Sequence, residues 1–173
     1  MKFSVVIATY NRADELGKTI QSLSQLRVDE PWEVLIVDNN SSDNTKDVVL
    51  KAAETFPVPL HHLFECEQGR SAALNTGIRA AQGEIIATTD DDVRVEPDWL
   101  TNAERALQNL NCDYLGGRAL PIWSGARPKW IPEGRSIHWS VIALLPRWQL
   151  LTPRVLEHRT QSYQVCPMLP RLR

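Results

Sequence analysis

Asp90, Asp91 and Asp92 are consecutive, and three adjacent carboxylates repel one another unless a positive group sits among them. A divalent cation is the first candidate for that group; the alternative is a solvated acidic turn with no chemistry. The residues before the triplet, Glu84-Ile85-Ile86-Ala87-Thr88-Thr89, form a short apolar run of the kind that makes a buried parallel strand. After it, Glu96-Pro97-Asp98-Trp99 reads as a helix start, with Pro at the first helical position. The carboxylates therefore belong to a turn at a strand's carboxyl end, where open α/β sheets bind ligands.

Two other polar clusters occupy equivalent places. Phe3 to Ala8 is an apolar, β-branched strand that ends in Thr9-Tyr10-Asn11-Arg12, and Trp32 to Val37 is a strand that ends in Asp38-Asn39-Asn40. Between them a helix shows Leu16, Ile20 and Leu23 on one face. Asp43 is placed to cap a second helix, with Val48, Val49, Ala52 and Phe56 on one side and Pro57 as its stop. A weaker strand lies within Val58 to Phe64, and a small-residue helix opens at Gly69-Arg70-Ser71 and runs through Ala81, with Gly83 expected at its C′ position. A final helix presents Trp99, Ala103, Ala106 and Leu110 as its apolar face, and Tyr114 to Leu120 is a candidate strand. Strands alternating with helices imply βαβ units and a mostly parallel sheet covered on both faces. Right-handed crossovers then bring the three polar clusters to one rim.

Composition limits what that rim can serve. A net charge of −2 with 43% hydrophobic residues is ordinary for a globular chain of 173 residues and gives no basic excess for nucleic acid. Cys66, Cys112 and Cys166 are odd in number and form no CxxC pair, so neither a zinc knuckle nor a disulfide framework is suggested and a reducing cytoplasm fits best. The apolar run at the start is too short for a signal peptide, and no window approaches a membrane span. No GxGxxG follows the first strand, which excludes the dinucleotide-binding fingerprint.

Four stretches, in order and at matching spacing, resemble the family 2 glycosyltransferases of GT-A type. They are Val5 to Arg12, Val34 to Asp43, Gly69-Arg70-Ser71-Ala72-Ala73-Leu74-Asn75-Thr76-Gly77, and Gly83 through Asp90-Asp91-Asp92 to Leu100. The resemblance implies an α/β fold, the GT-A (Rossmann-like) mostly parallel sheet flanked by helices, followed here by an irregular C-terminal tail. It also implies transfer of a sugar from a nucleotide-diphosphate donor, a UDP-sugar by family weighting, to an acceptor hydroxyl with metal assistance. Residues 1–120 correspond to the donor-binding core and 121–145 to the start of an acceptor-side region.

Carried over position by position, the resemblance puts Thr9, Tyr10 and Asn11 in the nucleotide site and lets Asp38 accept a hydrogen bond from the base. Arg70 becomes a diphosphate contact, Asp90 or Asp91 reaches the ribose hydroxyls, and Asp92 with Asp90 holds Mn²⁺ or Mg²⁺. Ala8 stands where relatives often have Pro, and Leu74 where they often have Arg. His61, His62, His138 and His158 are read as surface or strand-face residues, and Trp123, Trp130, Trp139 and Trp148 as packing residues more than a sugar platform.

An inverting transfer needs a base for the acceptor hydroxyl, yet only Glu133 and Glu157 follow Asp113 among the acids, and neither is assigned that role. Thirteen basic and 20 acidic residues precede Arg135, whereas six Arg and one acid lie from Arg135 onward. Residues 146–173 show neither helical nor strand period, and the expectation is an out-of-frame or disordered tail on a truncated chain. The alternative is a genuine short tail that binds a partner or an anionic surface. The companion alternative for function is an inactive fragment that binds nucleotide and metal without transferring sugar. Neither the sugar nor the acceptor, glycan or lipid-linked, is named by these residues, and the expected location is the cytoplasm, including the inner face of the membrane.

Overall fold

β1 (Phe3–Thr9) and β2 (Trp32–Asp38) sit in the middle of a sheet, and all but Ala8 of their fourteen residues are buried. Such runs of Val, Ile and Leu are what a parallel strand covered on both faces requires. The computed structural model describes residues 1–117, 119, 120 and 122, together with the backbone of a strand at 144–146. Around the central pair lie α1 (Ala13–Leu23), α2 (Thr45–Ala53), β3 (Leu60–Phe64), α3 (Arg70–Ala80), β4 (Ile85–Thr89) and α4 (Trp99–Leu110). The strand order is β3-β2-β1-β4-β5, where β5 is Leu144–Pro146. The first four are parallel, and β5 adds antiparallel to β4 with Ile86 opposite Leu145.

Alternation along the strands sorts the core into two layers. Phe3, Val5 and Ile7 join Val34, Ile36 and Ala87 against Leu16, Ile20 and Leu23 of α1, Val49 of α2, and Leu100 and Ala103 of α4. Val6, Leu35, Val37 and Ile86 face the other way, against Ala73 of α3 and Ala81 just beyond it. The small residues of α3 have a steric cause. A Cβ on Gly77 would lie 2.4 Å from Val6 Cγ1 and 2.9 Å from Val37 Cγ2, so the helix backbone rests almost directly on the sheet.

Several expectations are corrected in detail. α2 is preceded by Asn44 at the cap position, while Asp43, one residue earlier, accepts from the Thr45 amide at 3.0 Å and from Ala13 N at 3.1 Å. That helix ends at Ala53, short of Pro57. Gly83 is not a left-handed C′ residue, since α3 closes at Ala81 in extended conformation. Its reason is close approach: a Cβ there would be 2.5 Å from Ser4 N. Pro97 precedes the Asp98 cap instead of opening α4, and the buried face of that helix is Leu100 and Ala103 with Leu107 partly buried, while Leu110 is exposed. Among the described residues of Tyr114 to Leu120, isolated bridges stand at Leu115 and Ala119. Trp123, Trp130, Trp139, Trp148, His138, His158, Cys166, Glu133, Glu157 and the 146–173 tail beyond β5 lie outside the described residues.

The lower end of the sheet is closed by a buried polar knot. Glu33, 1% exposed, accepts from Ser4 Oγ and from the Gln82 amide, and Ser4 Oγ in turn accepts from the Gly83 amide at 2.7 Å. These bonds join β1, β2 and the α3–β4 connection at the edge opposite the polar rim. Among the described residues, no helix is long and apolar enough to cross a membrane.

Candidate active site

Parallel pairing puts Thr9 beside Asp38 at the carboxyl end of the sheet, with Ile7 beside Thr89 one pleat below. The chain then turns away from each strand in a way that needs unusual backbone. Asn11 and Asn40 take positive φ, 51° and 64°, a region that Asn tolerates better than most residues. The two loops lock together, since Asn11 Oδ1 accepts from Ser42 N at 2.7 Å and Asn11 N donates to Ser41 Oγ at 2.9 Å.

Between these loops and the turn after β4 lies a cleft of about 570 Å³. Thr9, Tyr10, Arg70, Asp90, Asp91 and Asp92 line it, as expected from sequence. Asn11 and Asp38 are not among its walls: Asn11 is spent on the 41–43 loop, and the Asp38 carboxylate is buried. Asp38 Oδ1 accepts from Ser41 N at 2.9 Å, while Oδ2 meets His62 Nε2 at a long 3.4 Å. His61 and His62 are thus strand-face residues of β3 near carboxylates.

The triplet is divided by environment. Asp91 is 7% exposed and accepts from Thr9 Oγ1 at 2.9 Å, while its backbone oxygen accepts from Thr19 Oγ1 of α1 at 2.7 Å. Asp90 and Asp92 have side chains 40% and 50% exposed and border the cleft. Arginines answer the repulsion: Arg70 pairs with Asp90, and Arg12 Nη1 reaches Asp92 Oδ2 at 2.9 Å and Asp91 Oδ1 at 3.3 Å. Asp91 first, then Asp92, raises the pKa of the Arg12 guanidinium above its ordinary value. Past the turn, Arg94 donates to Glu15 of α1 at 3.0 Å, and Arg27 forks onto Asp98, the cap of α4, at 2.7 and 3.0 Å.

Sequence reasoning assigned no role to Arg12, Asn39 or Gln68, which also line the cleft. Asn39 is a clamp. Its Nδ2 donates to Glu67 O at 2.6 Å and Glu65 O at 3.2 Å, its Oδ1 accepts from Gly69 N, and its carbonyl accepts from Gln68 Nε2. This fixes the loop that starts α3, where Gly69 adopts φ 145°, and aims the amino end of α3 and Arg70 at the cleft. A helix amino terminus and a forked cation favour an anion there. A basis for finding Arg12 existed in sequence, because it is the first cation after the β1 cluster.

The sheet has solved relatives. A mannosyltransferase from Pyrobaculum calidifontis, in complex with GDP-Man and Mn²⁺, superimposes with a TM-score of 0.57 at 36% identity, over 61% of this chain and 32% of that one. S. aureus TarS in complex with UDP gives a TM-score of 0.63 at 25% identity, over 75% of this chain and 38% of that one. Among curated relatives, an uncharacterized glycosyltransferase of Nostoc sp. is 41% identical over 62% of this chain and 33% of its own length. A glucosyl-dolichyl phosphate glucuronosyltransferase of Haloferax volcanii is 30% identical over 82% of this chain and 45% of its own length. The chain therefore spans between a third and a half of the length of these curated relatives. The sequence model described as Glycosyl transferase family 2 matches residues 4–163, and on that match and this GT-A sheet the chain belongs to that family.

Proposed function

We propose that the cleft binds the nucleoside diphosphate part of a sugar donor, a UDP-sugar in the first instance, for transfer of the sugar to an acceptor hydroxyl. The observation that carries this reading is that Asp90 and Asp92, their partners Arg12 and Arg70, and the amino end of α3 all line one cleft. An anionic diphosphate suits the arginines and the helix end, and a divalent cation suits the carboxylates. UDP in TarS and GDP-Man in the mannosyltransferase support the nucleotide class and leave uridine against guanosine to experiment.

The donor set fits Mn²⁺ or Mg²⁺. Among the described residues no three His, Cys, Asp or Glu side chains converge on one point. Magnesium-like ions are held by one or two carboxylates and completed by phosphate oxygens and water, which is what Asp92 with Asp90 can offer. When bound, the ion supplies Lewis-acid stabilisation of the charge on the departing diphosphate.

The chain's own residues do the rest. Tyr10, half-exposed at the cleft, offers an aromatic face to the base. Asp38, buried behind the cleft walls, fixes the loop after β2 by accepting from Ser41 N, and Asn11 locks that loop to the one after β1. Asp90 serves the ribose hydroxyls, with Asp91 holding the turn in register through Thr9. Arg70 grips the diphosphate and keeps it bound as the sugar leaves.

A second reading, donor binding without transfer by this chain alone, is motivated by the share of its relatives' length that it spans. Calorimetric titration of UDP and of GDP into the chain, with and without Mn²⁺ and on Asp92→Ala, tests the donor site. Metal-dependent binding that is lost in the variant supports it, and no binding by a folded chain overturns it. Sugar release or transfer in the presence of added acceptors then separates the two readings. A cytoplasmic site of action, including the inner face of the membrane, belongs to the same proposal and is checked by fractionation.

A further inference from the structure

Arg12 touches two of the three carboxylates, and beyond its place among the cations of the cleft the donor scheme gives it no contact of its own. Its side chain is 54% exposed, lines the cleft, and spends Nη1 on Asp92 Oδ2 at 2.9 Å and on Asp91 Oδ1 at 3.3 Å. The two acids differ in what else they hold. Asp91 is buried and already receives Thr9 Oγ1, so its place is settled by the fold. Among the described residues Asp92 is ion-paired with Arg12, and its side chain is 50% exposed. The neighbouring acid, Asp90, is neutralised separately by Arg70. The turn thus carries three negative charges against two arginines, each arginine placed on a different part of the triplet.

We infer that Arg12 is a positioning residue that acts as a stand-in cation, holding Asp92 at the cleft in the metal-free chain and giving it up when a divalent ion is taken. The inference rests on the proposed metal role of Asp92. Its physical basis is competition: a carboxylate oxygen paired with a guanidinium is not free to ligate, and two cations crowded on one carboxylate repel each other. Arg12 therefore has two opposed effects. It keeps Asp92 from being driven away by Asp90 and Asp91, and it weakens the hold of the site on a bare ion. Its anchorage at Asp91 keeps the released guanidinium beside the cleft.

The test is Mn²⁺ binding, read from the electron-spin-resonance signal of the free ion, on the full chain as wild type, Arg12→Gln and Arg12→Lys, without nucleotide. Because an exposed charge pair is modest in strength, Arg12→Gln is expected to bind Mn²⁺ about three- to fivefold more tightly, with Arg12→Lys close to wild type. A merely structural role for Arg12 would weaken binding on its loss, so equal or weaker binding by a folded Arg12→Gln overturns the inference while leaving the donor site intact. Absence of Mn²⁺ binding to the wild type, with UDP or without, would instead sink the metal reading and this inference with it. Should Arg12→Gln not fold, the wild type carries the question: saturating Mg²⁺ is expected to shift the Arg12 Nε–H resonance and speed its exchange with water. An Arg12 signal unmoved by bound Mg²⁺ overturns the inference.

Discussion

Thr9 Oγ1 donates to Asp91 Oδ2 at 2.9 Å, and this bond ties the end of β1 to the turn after β4. Both residues are buried, so the carboxylate relies on the hydroxyl in place of water. Thr9→Val keeps the shape and removes the donor. It is expected to cost about 1–3 kcal/mol in urea unfolding, the price of under-satisfying a buried charged acceptor, while Thr9→Ser stays near wild type. An unchanged midpoint for Thr9→Val would show that the bond does not hold the turn.

Arg70 is more than half-exposed and pairs with the exposed Asp90, so its loss is expected to spare the fold. For nucleotide the expectation is different. A charge-assisted hydrogen bond contributes about 1.5–3 kcal/mol, so Arg70→Gln should weaken Mn²⁺-dependent UDP binding by roughly tenfold or more. Arg70→Lys should fall between, because an ammonium keeps the charge and loses the fork. Calorimetry on both variants decides, and wild-type affinity in Arg70→Gln would remove the residue from the diphosphate site.

Two glycines are expected to respond in opposite directions. Gly83→Ala would set a Cβ 2.5 Å from Ser4 N and 2.6 Å from Phe3 C, both backbone atoms that cannot move aside cheaply. About 3 kcal/mol of destabilisation is expected, at the upper end for overpacking. Gly17 lies inside α1 and its added Cβ would meet only Val48 Cγ1 at 3.8 Å, an ordinary contact. Gly17→Ala should therefore stabilise by up to about 1 kcal/mol through helix propensity. Thermal melts of the pair distinguish the two causes.

Acid should destabilise the chain. Lys18 and then Arg94 lower the pKa of Glu15, and Thr76 with the Glu67 amide lowers that of Glu65. At Asp43 burial pushes upward, but hydrogen bonds from Thr45 and the Ala13 amide outweigh it and the net shift is down. Folded pKa values below the unfolded ones mean that the unfolded chain binds more protons in acid. The stabilisation is full above the ordinary carboxylate range and is lost as pH falls through the depressed values. The urea midpoint should hold from about pH 7 to 5 and decline below about pH 4.5, with a shallower decline in Thr76→Val. A midpoint that rises in acid would contradict these shifts.

The central strands were legible because parallel strands covered on both faces must be apolar throughout, as Val5 to Ile7 and Val34 to Val37 are. The stripe Leu16, Ile20 and Leu23 of α1 was legible because helical spacing sets these positions on one face, and all three are buried. In α4 Ala103 is buried as its spacing predicts and Trp99 packs partly buried on the same core, but Leu110 is exposed. Trp99 and Leu100 are both apolar neighbours, and spacing alone does not say which of them faces the sheet; Leu100 does. Gly83 reads as a helix cap because a glycine after a helix usually is one, whereas its cause is a neighbour 79 residues away, Ser4. β5 was missed because three residues display no period. At the site, the cluster positions on the rim were readable, but the pairing of Arg12 with Asp91 and Asp92, and the clamp made by Asn39, depend on loop geometry that no spacing rule encodes.

The strand order carries a consequence for the time at which this molecule is put together. β1 can pair with β2 as soon as Asp38 has been made, but its other edge belongs to β4, which comes after α2, β3 and α3. Thr9 and Asp91 are 82 residues apart in sequence. Chains emerge from the ribosome amino end first, and distant pairings form later than local ones. The early βαβ unit therefore forms with one flank of β1 still bare and without its acidic turn. Nucleotide binding by a nascent chain would mark the arrival of β4, making ligand capture a clock for completion of the four-stranded core.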